Sequence, residues 1–316
     1  MSQPANLLVR GWLLLACVSV LNASTYSYTD LRVPGAPSTT LRDINNSGMV
    51  VGTYGASLFP TSGFVWSGQS GFTLFDVPDV NPTFGTEAYS LNDAGVVVGS
   101  VFPGCCSSSR SGFIRETDGA TRLLPGMSLV RGINNAGSIA GVATSPVIQH
   151  PDGTSTDVQV PGAYVILEDI NNLGDVVGYN DTSGFIRQSD GSLTFLNVPG
   201  ALFTVATGLN DRDEVVGFYR DQQIRHRGFY WSVSTGFRFL DHPETTGDTL
   251  LYGINNAGTL VGSYRTPGSF NEAGFIAAST ATAVPEPGSA VVIFSGLTAL
   301  CIARSVRARA VGSGRR

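Results

Sequence analysis

Apolar residues along most of this chain fall in short runs of four to six, rich in Val, Ile, Phe and Tyr and bounded by Gly, Pro, Asn and Asp. That pattern predicts β-strands, and no window between Tyr26 and Ser279 sustains a helical period. The runs also recur in a fixed order. Ile or Leu, then Asn, then Asn or Asp, then usually x-Gly, then a Gly closing a small apolar triplet, occurs six times. The copies are Ile44-Asn45-Asn46-Ser47-Gly48…Gly52, Leu91-Asn92-Asp93-Ala94-Gly95…Gly99 and Ile133-Asn134-Asn135-Ala136-Gly137…Gly141. They continue with Ile170-Asn171-Asn172-Leu173-Gly174…Gly178, Leu209-Asn210-Asp211-Arg212-Asp213…Gly217 and Ile254-Asn255-Asn256-Ala257-Gly258…Gly262. Their first asparagines lie 47, 42, 37, 39 and 45 residues apart, a mean of 42.

Two further marks keep the same phase. A Gly-Phe unit follows five copies, at Phe64, Phe113, Phe185, Phe229 and Phe275, and Pro146-Val147-Ile148 takes its place in the third. An apolar stretch ending in proline precedes each copy: Val33-Pro34, Val77-Pro78, Leu124-Pro125, Val160-Pro161, Val198-Pro199 and His242-Pro243. Six whole units therefore run from about Tyr26 to Ser279. Each reads as four short strands; in the fifth they are Leu193–Val198, Ala206–Asn210, Glu214–Tyr219 and Gly228–Ser232. Asn-Asn-x-Gly tolerates the positive φ of a tight hairpin. The Gly after Val-Val leaves room for a close neighbour, and the phenylalanines are expected to fill the space between successive sheets.

Four strands in about 42 residues match a β-propeller blade. The predicted fold is all-β, a six-bladed propeller whose closure buries the blade edges, with an open β-solenoid as the alternative. The units, through the Ile-Asn-x-x-Gly-x-x-x-Gly segment, resemble the extracellular HAF repeat family, although Gly-Phe stands where that family has His-Ala-Phe. The resemblance implies an extracellular repeat protein and carries no assigned activity. Fold symmetry would set Asn45, Asn92, Asn134, Asn171, Asn210 and Asn255 in one ring, where sugar binding is an option.

The ends of the chain read as addresses. Arg10, the apolar run Gly11–Leu21 and the small residues Asn22-Ala23-Ser24 form a secretory signal peptide over residues 1–24. Leu14-Leu15-Ala16-Cys17 imitates a lipoprotein box, but Arg10 sits close to it and the apolar run continues past the cysteine. The domain proper covers 25–279. In the final segment, 280–316, Val284-Pro285-Glu286-Pro287-Gly288 precedes an uncharged run to Ala303, then Arg304, Arg307, Arg309, Arg315 and Arg316. As a helix, the sixteen residues from Gly288 to Ala303 would span about 24 Å, slightly less than the ~30 Å hydrocarbon core. The arginines would hold the C-terminus in the cytoplasm. The prolines keep the preceding stretch extended and open to a protease. These three ordered elements resemble the PEP-CTERM sorting signal of Gram-negative bacteria. That resemblance implies recognition by an exosortase-type membrane protease, an inner-membrane intermediate and release to the surface, in bacteria that make exopolysaccharide.

Charge and chemistry narrow the function. There is no lysine; with Arg10 and the five C-terminal arginines set aside, 13 arginines face 24 acidic residues. Such a surface repels phosphate backbones, so nucleic acid is not an expected partner. Anionic polysaccharide is disfavoured for the same reason unless a cation bridges it. Cys105 and Cys106 are neighbours in a Gly/Ser-rich stretch; an export route permits a disulfide between them, with free thiols or an intermolecular bridge as alternatives. Cys301 reads as a filler of the apolar run. The Asn-rich turns, Asp169 to Asp175 above all, imitate a calcium loop, but Leu173 and its equivalents Ser47, Ala94, Ala136, Arg212 and Ala257 occupy a ligand position. Turn-forming asparagine is the better reading, and no metal or cofactor is expected. The three histidines, His150, His226 and His242, fall at different places in their units, and no Gly-x-Ser-x-Gly elbow or Walker loop is present. Asp211, Asp213 and Glu214 break the turn pattern of the fifth copy, which marks them as the least structural acids. The expected function is a non-enzymatic surface or matrix protein, structural or adhesive, with a glycan-binding face. The alternative is a carbohydrate-active hydrolase or lyase built on a carboxylate pair.

Overall fold

The computed structural model describes residues 26–280 apart from 57–60, 79–84, 103–109, 246 and 266–267. The signal peptide, Cys105, Cys106 and the sorting segment with Pro285, Glu286 and Pro287 lie outside the described residues. Among the described residues no helix is long and apolar enough to cross a membrane.

The unit Tyr26–Ser279 is a six-bladed β-propeller. Its strands form six four-stranded antiparallel sheets, each built from strands consecutive in sequence except the last. Inner strands are Ser38–Ile44, Thr86–Leu91, Leu129–Ile133, Val165–Ile170, Phe203–Leu209 and Thr249–Ile254, in blades one to six. The sixth blade is completed by the first strand of the chain: Tyr26–Asp30 pairs antiparallel with Glu272–Ser279, Tyr26 opposite Ser279 and Asp30 opposite Phe275. Joining first strand to last closes the ring and leaves no open end, as a solenoid would.

The blades are shifted by one strand from the sequence units. Leu193–Leu196 is the outer strand of blade four, not the first strand of the fifth unit. Blade five runs Phe203–Leu209, Val215–Arg220, His226–Ser232 and Gly236–Leu240. Proline explains the shift. It has no N–H to continue a ladder, so each outer strand stops near its Pro and the chain turns to the next blade. Ala36 N–H to Val33 O, Met127 N–H to Leu124 O and Ala201 N–H to Val198 O close these turns. The strand before Pro34 therefore belonged to a preceding blade, and in a closed ring that blade is the sixth.

One apolar core fills each interface between neighbouring blades. Phe64, Phe113, Phe185, Phe229 and Phe275 sit in these cores with no exposure. Each lies opposite the Gly of the Val-Val-Gly type triplet: Gly52, Gly99, Gly178, Gly217 and Gly262. A Cβ on those glycines would come within about 3 Å of the ring, and in the degenerate third blade Met127 Cε takes the ring's place at 2.9 Å from the Cβ position of Gly141.

A harder constraint acts on the same glycines. The inner strand of every blade carries a β-bulge against them, at Arg42, Tyr89, Arg131, Glu168, Thr207 and Tyr252. The bulge pushes a backbone carbonyl inward, so that a Cβ would stand 2.1 Å from Thr40 O at Gly52 and 2.0 Å from Val205 O at Gly217. A carbonyl in a ladder cannot swing aside as a side chain can. Gly217→Ala is expected to destabilise the protein by about 3 kcal/mol or more, the upper range of overpacking, in urea denaturation. Gly68, which has only Trp66 at 3.8 Å, is the control, and its Ala variant should stay within about 0.5 kcal/mol of wild type.

Candidate functional site at the bulges of the inner strands

Three polar layers are stacked along the inner strands. The first is the asparagine ring, and it closes completely. Asn45 Nδ2 donates to Asn92 O (3.0 Å), Asn92 to Asn134 O (3.4 Å), Asn134 to Asn171 O (3.1 Å), Asn171 to Asn210 O (3.2 Å), Asn210 to Asn255 O (3.1 Å) and Asn255 to Asn45 O (3.1 Å). Each side-chain oxygen accepts from its own hairpin, as Asn45 Oδ1 does from Met49 N. The next residues make a second closed ring in which each backbone N–H donates to the neighbouring side chain, from Asn46 to Asp93 at 2.9 Å round to Asn256 to Asn46 at 2.8 Å. The amides of the inner ring are thus bonded on both ends and buried. The ring expected from symmetry exists, but its side chains hold the blades together and are not free to bind sugar.

This corrects the reading of the fifth copy too. Asp211 is structural: its Oδ2 accepts from Asn172 and Asn256. Burial would raise its pKa, but those amides outweigh burial and hold it low. Glu214 accepts from Asn210 and Arg212. Asp213 occupies the place of the turn glycine at φ 56°, a left-handed conformation Asp tolerates better than most. Asp175, at the end of the calcium-like loop, accepts from Ser189 N and Asn171 Nδ2. The histidines stay apart. His150 bonds Ser138 and Thr156, His226 packs on Phe203 and Phe218, and His242 lies stacked on Tyr264 with ring centres 3.8 Å apart.

The second layer holds Asp43 and Asp169, from blades one and four, which face each other in a six-membered ring. Gly132, Gly208 and Gly253 occupy the same position in other blades. Both acids line a narrow polar cavity of about 60 Å³ with the asparagines. Asp43 accepts from Ser90 Oγ (2.7 Å), Leu91 N (3.1 Å) and Ile44 N (2.7 Å). Asp169 accepts from Ile170 N (2.8 Å) and Leu209 N (3.2 Å). Burial pushes the Asp43 carboxyl up to about 6. Burial, and then the charge of Asp43, push Asp169 well above its ordinary value.

The third layer is made of the six bulged residues. Bulges re-aim a side chain out of the alternation of a strand, and here five of the six line a cavity of about 390 Å³. Its wall includes Arg42, Arg131, Glu168, Thr207 and Tyr252 from the bulges, with Tyr179, Asp181, Phe203, Thr204 and Phe218 around them. Arg131 donates to Glu168 at 2.9 Å; burial opposes its charge, and Glu168 together with Tyr89, Tyr179 and Glu87 more than offsets that. Tyr89 stands between the two arginines, 4.4 Å from Arg131 and 5.4 Å from Arg42. Arg42 also lies over Tyr252 at 4.5 Å. Among the described residues Arg42 has these aromatic neighbours but no hydrogen-bonded acceptor, and its Nε is shut off from solvent without a partner. Burial raises Tyr252 and Tyr179 to about 12, so both phenols keep their protons.

No residue of this third layer was singled out by the sequence reading. The signal was there: two places before each Ile or Leu of the repeat stand Arg42, Tyr89, Arg131, Glu168, Thr207 and Tyr252. The six copies agree at Asn and disagree here. No family model and no curated protein matches the chain. Among solved structures it is similar to TolB from Acinetobacter baumannii, with a TM-score of 0.48 and 10% identity over 76% of this chain and 63% of that one. The match covers less than two thirds of TolB, and the propeller assignment above stands on strand order and closure.

The second layer predicts a pH dependence. Unfolded Asp ionises near ~3.9, whereas folded Asp43 keeps its proton to about 6. Between these values the native state binds more protons, so this layer's contribution to stability falls as pH rises. Melting curves from about pH 4 to pH 7 should show a decline that flattens in Asp43→Asn. Parallel profiles for the two proteins would contradict the shift.

Proposed function

We propose that this protein is an exported, non-enzymatic binding propeller that takes a saccharide at the mouth formed by its bulged residues. The observation that carries this reading is the third layer: the repeat diverges where it borders a cavity of about 390 Å³. That volume lies within the ~300–1,000 Å³ range of small-ligand sites. Phe218 and Tyr252, 6.3 Å apart, offer aromatic faces to the apolar side of a sugar ring. Glu168 and Asp181 offer acceptors for its hydroxyls. The setting is the cell surface or an extracellular polysaccharide matrix, reached through the signal peptide and an exosortase-type protease that reads Pro285-Glu286-Pro287.

Two measurements test this. A glycan array with the purified Tyr26–Ser279 unit, which contains its own closure and cores, should give hits that Tyr252→Ala weakens about tenfold or more. A degradation assay run beside it should release no product. Release abolished by Glu168→Gln would favour the hydrolase or lyase reading instead. Separately, replacing Pro285-Glu286-Pro287 with alanines should leave uncut protein in the inner membrane, and an unchanged size and location would refute the sorting role.

A further inference from the structure

Arg42 is the one bulged cation whose guanidinium has no acceptor among the described residues. Arg131 reaches Glu168, and Glu87 is engaged by Tyr89. Glu272, whose charge reaches Arg42, is bonded to Thr40, Ser263 and Arg265. A guanidinium carries five N–H donors in a fixed fork; here Nε is shut off from solvent without a partner, and a buried donor left unpaired opposes folding. Tyr252 and Tyr89 hold its plane by cation–π contact, which orients the fork without using its donors. The bulge aims this group into the cavity that Tyr252, Phe218 and Glu168 also line.

We propose that Arg42 anchors a ligand carboxylate, and that the saccharide taken at this mouth is a uronate. The inference rests on the saccharide reading above and names its class. A carboxylate matches the guanidinium fork in two parallel hydrogen bonds. A doubly charged phosphate fits less well, because Glu168 and Asp181 stand in the same wall and balance the two arginines. The remaining hydroxyls meet those carboxylates, and the ring lies against aromatic faces. The acidic outer surface excludes long polyanions, so the cavity holds a single uronate unit or a chain end.

Calorimetry of the Tyr26–Ser279 propeller at low salt decides the matter. Glucuronate- and galacturonate-ended oligosaccharides are compared with the same sugars carrying the primary alcohol, and with the 6-phosphate. The uronates should bind about tenfold tighter than the alcohols. Arg42→Met should erase that preference while a cooperative melt shows that the propeller still folds. Arg42→Lys should keep part of the preference, having the charge without the fork. Equal binding of acid and alcohol, a preference that survives Arg42→Met, or tighter binding of the phosphate would overturn the assignment. If acid and alcohol bind equally and Tyr252→Ala weakens both, the saccharide reading stands and the role of Arg42 falls. If neither sugar binds, both fall.

Discussion

A glycine facing a bulge is the constraint on which the rest of this propeller depends. In each blade the inner strand carries one extra residue, and the carbonyl two residues before it presses on the second strand where a Cβ would sit. Only glycine admits it. The extra residue breaks the alternation of the strand, so that Arg42 and its five equivalents leave the pattern of core and surface. The residues after the bulge are set for the tight Asn-Asn hairpins that meet their neighbours in a ring.

The layers divide their work according to how fully their polar groups are satisfied. The asparagine rings are saturated: twelve hydrogen bonds from blade to blade close on themselves. At roughly 1 kcal/mol each they are individually modest, but any opening of the ring breaks them together. The bulge layer is not saturated. It carries an arginine without an acceptor and phenols kept protonated by burial. Unsatisfied buried polar groups oppose stability, and here one of them, Arg42 Nε, belongs to a residue that lines the cavity.

Much of this architecture was legible in the chain. The six-fold phase of Asn, Gly-Phe and Pro marks six units, and the close approach expected at the Val-Val-Gly glycines is realised as Phe229 opposite Gly217. Two things were misread. Proline reads as closing the first strand of a unit, whereas in the structure it ends the outer strand of the preceding blade. Asp211, expected to be among the least structural acids, is part of the ring, because an acid accepts from Asn172 and Asn256 as an amide oxygen would.

The sequence by itself determined the number of units, the place of the six Asn hairpins and the small residues that let strands approach, because these depend on neighbours within a few positions. The tertiary structure decided which strand closes the ring, that Asp43 meets Asp169, and that Arg42, Glu168 and Tyr252 share one mouth. Those groups lie in different blades, up to 210 residues apart. A bulge inserts one residue without a strong local signature, so a reading in steps of two passes over it. Only closure of the ring brings the six bulges together.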